Sequence, residues 1–253
     1  MSGDIKAALI AGLPQDIGVG VTLVSSVNEA LFQQEMAFIK NAVPSRQQEF
    51  SAGRAAARGA MKQLGLSPKP ILAGADRAPV WPDGVIGSIS HHDKTCVAVV
   101  SADNQWRALG IDIEPDAPLD PDLVCEVCTT EEQNWLVQQP KGQRLRLARM
   151  IFCAKECTYK CQYPLSQTLF GFDAIEISLS TNSFVATFLQ TVPLFETGQT
   201  LNGEFTFAGQ HMIAFMAIPS QKAKTQAIST EPPYLRQEGR ASQTHESWKA
   251  IQQ

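Results

Sequence analysis

The chain has 253 residues, enough for one large or two small domains, and a body of that size folds without disulfide or metal staples. Its 21 Lys and Arg stand against 25 Asp and Glu, a net −4. That argues against a general nucleic-acid binder and leaves room only for a local basic pocket. With 44% hydrophobic and 18% charged residues, the composition is that of an ordinary globular protein.

No apolar run approaches the roughly 18 residues that a bilayer span needs, and Met212 to Ile218 is among the longest. The N-terminal residues carry Asp4 and Lys6 and lack the apolar centre of a signal peptide. Six cysteines are too sparse for a disulfide framework. Cys125 and Cys128 form a lone C-x-x-C, with no second pair at zinc spacing. Cys153, Cys157 and Cys161 recur along one helical stripe and read as buried free thiols. The expected compartment is a reducing one, the cytoplasm.

In chain order, residues 29–40 read as a helix, with Phe32, Met36 and Ile39 at helical spacing. Pro44 breaks it, and Ser45 with Gln48 offers a capping box for a second helix. That helix puts Phe50, Ala57, Met61 and Leu64 on one face and stops at Gly65. Arg46, Arg54 and Arg58 ride on its other sides, Arg58 reading as part of a solvated face. After a Pro- and Gly-rich loop over 67–84, strands are predicted at 85–90, 95–100 and 106–114. In the third, Leu109, Ile111 and Ile113 point one way; Gly110, Asp112 and Glu114 point the other.

The pattern then repeats in kind. Thr129 and Glu132 form another capping box, and a long helix over 144–162 carries Leu147, Ile151, Ala154 and Cys161 before Pro164 closes it. Strands follow at 172–179, 184–190, 203–208 and 211–218. Two helix-then-sheet halves imply an α+β protein, although no residue-level repeat is visible. From Ser220 onward only 9 of 34 residues are apolar, so this tail reads as weakly packed or disordered.

Asp112 and Glu114 sit two apart on one strand face. They read either as a solvated strand end or as paired oxygen ligands of the kind Mg²⁺ takes. Glu156 and Lys160 form an i, i+4 pair beside Lys155. They are either a surface ion pair or a third carboxylate with two phosphate-binding lysines. Ser90-His91 ends a strand and is either structural or adjacent to a phosphate. The chain has no G-x-S-x-G, no P-loop and no G-x-G-x-x-G, so any phosphate is held by side chains.

Four segments combine these signals. They are Phe50-Ser51-Ala52-Gly53-Arg54-Ala55-Ala56, then Pro79-Val80-Trp81-Pro82-Asp83-Gly84 leading to Gly87-Ser88-Ile89-Ser90-His91. Gly110-Ile111-Asp112-Ile113-Glu114 follows, and last Phe152-Cys153-Ala154-Lys155-Glu156-Cys157-Thr158-Tyr159-Lys160. In order and spacing the chain resembles the 4′-phosphopantetheinyl transferases over roughly residues 46 to 175, specifically the long monomeric surfactin-type and enterobactin-synthase-component-D-like class.

The resemblance implies two similar α+β halves in pseudo-two-fold arrangement, with the active site in the cleft between them. The halves would be residues 1–108, on the nucleotide side, and 109–219, with the tail at 220–253. It implies transfer of 4′-phosphopantetheine from coenzyme A to a serine of an apo acyl, peptidyl or aryl carrier protein in secondary metabolism, such as siderophore or polyketide synthesis. It further implies Mg²⁺, for which Mn²⁺ can substitute, on Asp112, Glu114 and Glu156. Glu156, Lys160 and Asp112 would be catalytic. Arg46, Arg54, Arg77, Ser90, His91, Lys155 and Lys160 would hold coenzyme A, the arginines at its 3′-phosphate and adenine end. The enzyme would act as a monomer without nucleic acid or membrane span. Leu119, Leu123, Val124 and Lys141 are candidates for a carrier-facing surface, or else merely pack the linker. Another Mg²⁺-dependent phosphoryl enzyme, such as a coenzyme A or nucleotide hydrolase, is the rival reading.

Overall fold

The computed structural model describes residues 2–27, 30–102 and 106–220. The polar tail expected from Ser220 onward falls almost wholly outside the described residues.

The N-terminal half begins with α1 (Ser2–Gly12) and β1 (Gly18–Leu23), neither of which the apolar spacing predicts. The helix α2 (Gln33–Ile39) is shorter than expected, because the Glu35 carboxylate turns back to accept from the Phe32 N–H at 2.9 Å and starts it there. Pro44 opens α3 (Pro44–Gln63) rather than breaking its predecessor. Its fixed φ and missing N–H suit the first helical position, so Val43 is the cap and the Ser45–Gln48 box does not form. Short strands β2 (Leu72–Ala73) and β3 (Pro79–Val80) make a hairpin, and β4 (Ile86–His92) and β5 (Thr95–Ser101) follow.

The C-terminal half opens with β6 (Trp106–Pro115), so a divide at 108–109 cuts a strand that belongs whole to the second sheet. After the single turn α4 (Val124–Val127), the Thr129–Glu132 box caps α5 (Thr130–Gln138) as predicted. The long helix α6 (Arg144–Ser166) passes through Pro164 instead of closing there, and ends one turn later where Gln167 turns left-handed at φ 52°. Strands β7 (Ile175–Leu179), β8 (Ser183–Phe188), β9 (Thr200–Ala208) and β10 (His211–Pro219) complete the chain.

Each half uses one plan. Its first strand leads to a long helix, then antiparallel strands, the last of which returns to pair with the first. The sheet orders are β1-β5-β4 and β6-β10-β9-β8-β7. Gly18 pairs with Val100 and Gly20 with Ala98 across β1 and β5; Gly110 pairs with Met216 across β6 and β10. In both halves glycine lets the long helix settle onto the first strand. A Cβ at Gly20 would overlap the Ala56 carbonyl of α3, and one at Gly110 would overlap the Cys157 carbonyl of α6.

The inner faces supply three apolar cores. Ala52, Ala56, Ala60 and Met61 of α3 pack on Cys96, Ala98 and Val100. Ile151, Ala154, Cys157 and Cys161 of α6 pack with the second sheet around Phe184 and Phe188. Between the sheets, Ile5 and Leu9 of α1 meet Val97, Val99, Leu109, Ile111 and Ile113, joining the halves. The three cysteines of the α6 stripe are fully buried free thiols, and Cys153 Sγ donates to the Asp112 carbonyl at 3.6 Å. Leu119 is also core, 1% exposed, with Leu123 and Val124 packed against that core. Leu119 therefore leaves the candidate carrier surface.

Gly20→Ala and Gly110→Ala are each expected to cost about 2–3 kcal/mol in urea denaturation, because helix backbone rather than a flexible side chain must move.

Candidate active site

The two halves meet where β4 runs beside β6 in the same direction. No backbone ladder is formed there; serine hydroxyls at alternate positions of β4 serve instead. The Ile111 N–H donates to Ser88 Oγ at 3.1 Å and the Ile113 N–H to Ser90 Oγ at 3.4 Å. Period-two alternation puts both serine side chains on one face of β4, where they meet the β6 N–H groups.

At this seam stands the densest ionic cluster of the predicted residues. Ser90 Oγ donates to Asp112 Oδ1 at 2.8 Å. Lys160 reaches from α6 to the same oxygen at 2.5 Å and to Ser90 Oγ at 3.0 Å. Its ammonium also lies 3.8 Å from Glu156 Oε2, one turn back on the helix. Burial opposes the lysine charge, but Asp112 and Glu156 outweigh burial and push its pKa above the ordinary value. Lys160 thus stays an ammonium at neutral pH. Asp112 is 3% exposed, and its second oxygen, Oδ2, is buried with no hydrogen-bond partner among the described residues.

Glu114, next on that strand face, is pushed up to about 8 by burial and then by the Asp112 charge. Arg149 of α6, a residue the sequence does not single out, opposes this by donating to Glu114 Oε2 at 2.8 Å. Asp112, Glu114 and Glu156 are hard oxygen donors suited to Mg²⁺. The orphaned Asp112 Oδ2 and the raised Glu114 carboxyl both mark charge that a divalent cation would relieve. Among the described residues no three His, Cys, Asp or Glu side chains converge as a closed metal cage. The Lys160 ammonium lies between Asp112 and Glu156. The donors suit the ion by chemistry, while by position Asp112 and Glu156 are held to the lysine between them.

Several expected phosphate ligands are placed otherwise. Lys155, expected to hold phosphate, faces away from the seam. Its side chain is 1% exposed, its ammonium lies 2.7 Å from Glu132 Oε2, and it donates to the Val127 and Phe172 carbonyls at 2.9 and 2.8 Å. Glu132 also accepts from the Ile177 N–H at 2.6 Å, so the pair clamps α5, α6 and β7 inside the C-terminal half. Adjacent helical residues point about 100° apart, which sends Lys155 into the core while Glu156 faces the seam. Ser90 is present at the site, but its hydroxyl is engaged by Asp112 and Lys160.

Arg54, expected at the 3′-phosphate, is likewise turned inward. Burial lowers its guanidinium to about 10, and Nε and Nη2 donate to the Ile71 and Leu72 carbonyls at 2.8 and 3.1 Å. Its Nε–Nη2 edge is therefore taken by backbone carbonyls. Arg58 is not solvated; it is 2% exposed and donates to both oxygens of buried Glu35. Alanine-rich spacing around these arginines hides their burial from a sequence reading. His91 and Arg46 do come together. Both contact Glu49 Oε2, at 3.3 and 3.4 Å, and burial lowers the His91 pKa, keeping the ring neutral. Arg77 stands exposed at the tip of the β2–β3 hairpin.

A cavity of about 400 Å³ opens between the end of α1 and strands β9 and β10, lined by Gly12, Trp106, Glu204 and Met216 among others. It contains none of the ionic residues above. Charge, rather than concavity, marks the site.

Comparison with known proteins bears on this arrangement. Residues 34–101 match the model of the 4′-phosphopantetheinyl transferase N-terminal domain, and residues 108–214 that of the 4′-phosphopantetheinyl transferase superfamily. The chain is 36% identical over 184 residues to 4′-phosphopantetheinyl transferase Npt of Nocardia iowensis, covering 70% of this chain and 81% of that protein. It is 37% identical over 164 residues to 4′-phosphopantetheinyl transferase Svp of Streptomyces mobaraensis, covering 64% and 67%. Similarity to enterobactin synthase component D of Salmonella typhi is 34% over 142 residues, covering 55% and 58%.

Two measurements check the electrostatics. Lys155→Met should cost about 3–5 kcal/mol, because Glu132 is left as a buried, uncompensated charge. In metal-free protein, Glu114 binds its proton more tightly folded than unfolded, so stability should fall as pH rises from about 4.3 toward 8. Glu114→Gln should remove that part of the slope in melting curves recorded with chelator.

Proposed function

The chain belongs to the 4′-phosphopantetheinyl transferase superfamily, and from that premise we propose how its own residues carry the reaction. It transfers 4′-phosphopantetheine to carrier proteins with coenzyme A as co-substrate. In the proposed reaction, the serine hydroxyl of an apo acyl, peptidyl or aryl carrier domain attacks the phosphorus that bears the pantetheine arm. The new serine–phosphorus ester forms as the pyrophosphate P–O bond breaks. Adenosine 3′,5′-bisphosphate leaves, and the serine proton passes to a base.

The observation that carries this reading is the contact of Lys160 with Asp112 and Ser90 at the seam of the two halves. It puts a permanent cation and a set of carboxylates at one point. Phosphoryl transfer needs that combination, since positioning and charge neutralisation supply most of the catalysis. Lys160 binds a phosphate oxygen. Asp112, Glu114 and Glu156 would hold Mg²⁺, or Mn²⁺ in its place, which when bound supplies electrostatic stabilisation of the pyrophosphate oxygens. Glu156 is the residue assigned to take the serine proton, directly or through water, a role worth about 10²–10⁴-fold in rate.

His91, kept neutral, donates to a phosphate. Arg46 and Arg77, both exposed, meet the 3′-phosphate and adenine end of coenzyme A. Ser90 fixes the Asp112 carboxylate rather than the substrate. One chain supplies both sides of the seam, which supports action as a monomer. Six free thiols support a reducing cytoplasmic setting.

Incubation with coenzyme A, Mg²⁺ and a panel of apo carrier proteins tests the reading. The carrier is expected to gain the mass of one phosphopantetheine; coenzyme A consumed without that gain would mean hydrolysis instead. Glu156→Gln should lower turnover by about 10²–10⁴-fold while leaving the melting temperature in place.

A further inference from the structure

The β2–β3 hairpin is fastened at its base inside the N-terminal half. Arg54 holds the Ile71 and Leu72 carbonyls, and Glu35 Oε1 accepts from the Ile71 N–H at 2.9 Å. Its tip is a tight turn, with Gly74 N–H donating to the Ala78 carbonyl at 2.8 Å and Arg77 N–H to the Gly74 carbonyl at 3.0 Å. Arg77 sits there at φ 69°, a left-handed conformation that costs a non-glycine residue roughly 1–2 kcal/mol. Something outside Arg77 must keep it there.

Asp76 supplies the restraint. Its Oδ1 accepts from the Ala78 N–H at 3.1 Å, and Gly74 clears space for the carboxylate, which a Cβ at that position would strike. The other oxygen, Oδ2, accepts from the Tyr163 hydroxyl at 2.5 Å. Tyr163 belongs to α6, 87 residues along the chain and in the opposite half. Its ring stacks on Tyr159 with centroids 5.5 Å apart, and Tyr159 packs edge-on to Phe170, so the hydroxyl is aimed by an aromatic row. The bond is felt by both groups: it raises the Tyr163 hydroxyl to about 12 and lowers the Asp76 carboxyl.

We propose that Tyr163 and Asp76 form a latch between the halves that positions Arg77, coupling the grip on the nucleotide end of coenzyme A to the helix carrying Glu156 and Lys160. The latch rests on the reading above in which Arg77 meets the 3′-phosphate. Tyr163 and Asp76 are positioning residues and touch no substrate. Tyr163 lies three residues beyond Lys160, less than one helical turn, so the arginine turn and the catalytic lysine share one rigid mount.

Steady-state kinetics with coenzyme A and 3′-dephospho-coenzyme A, beside melting curves, test the latch. Arg77→Ala serves as the reference and should raise KM for coenzyme A but not for the dephospho form. Tyr163→Phe keeps the ring stack and removes only the hydroxyl; Asp76→Asn removes the charge. Each should raise KM for coenzyme A about three- to tenfold, the worth of one charge-assisted hydrogen bond, with kcat held within about twofold. KM for the dephospho form should stay put. The double variant should be no worse than the more damaging single, since both break one bond.

If Arg77→Ala leaves KM for coenzyme A unchanged, the nucleotide role of Arg77 fails and the latch falls with it. If Arg77→Ala acts but Tyr163→Phe and Asp76→Asn do not, that role stands and the latch alone is overturned. Equal KM shifts on both substrates, or a drop in melting temperature without a KM shift, would make the contact merely structural.

Discussion

Lys160 can contact Asp112 only because three independent elements converge at one oxygen atom. Strand β6 presents the carboxylate, β4 brings the Ser90 hydroxyl from the other half, and α6 delivers the ammonium. A buried carboxylate beside two other acids is electrostatically costly without a cation. The lysine offsets that cost and at the same time joins the halves. Much of the surrounding structure serves this contact. The serine-bridged seam sets the distance between β4 and β6, and Gly110 lets α6 approach. Arg149 holds the neighbouring Glu114, which would otherwise be driven further toward its neutral form.

The two buried ion pairs away from the seam are of a different kind. Lys155 with Glu132, and Arg58 with Glu35, each engage carbonyls and N–H groups of loops, helix ends or the edge strand β7. Pairs of this type add little net stability over an apolar replacement, yet losing one member is severe. They fix where irregular chain lies relative to the helices. That is why Lys155, which looks like a phosphate ligand by type, is engaged inside the C-terminal half, and why Arg58, which reads as part of a solvated face, is buried.

The long helices and the strands around Asp112 are legible because their apolar periods are strong, although neither long helix starts on a side-chain cap. The α+β class and the repeated plan follow from that. What escaped was decided by contacts distant in sequence. Helix α1 has apolar residues all around, with no clear stripe, and β1 is glycine-rich, so neither shows a periodic signal. Pro44 and Pro164 read as breaks, yet one begins a helix and the other lies within one. Among the candidate site residues, Asp112, Glu156 and Lys160 show as a charge pattern in the sequence because each lies two strand positions or one helical turn from a partner. Arg149 gives no local signal because its partner, Glu114, is 35 residues away, and the burial of Arg54 depends on a hairpin base that Glu35 holds at the Ile71 N–H.

The glycine contacts carry a further consequence for how the site responds to force. Helix α6 rests on β6 so closely at Gly110 that any side chain there would meet the Cys157 carbonyl and the N and Cβ of Cys161. Repulsion at that range rises far more steeply than the attraction that draws side chains together. The spacing between Asp112 and the helix bearing Glu156 and Lys160 is therefore stiff against compression, in the way of a hard stop. A side-chain spacer at position 110 would turn that stop into a spring. Small errors in distance are expensive for phosphoryl transfer, where alignment contributes so much of the rate. The smallest residue on the strand thus acts as the gauge that sets the depth of the active site.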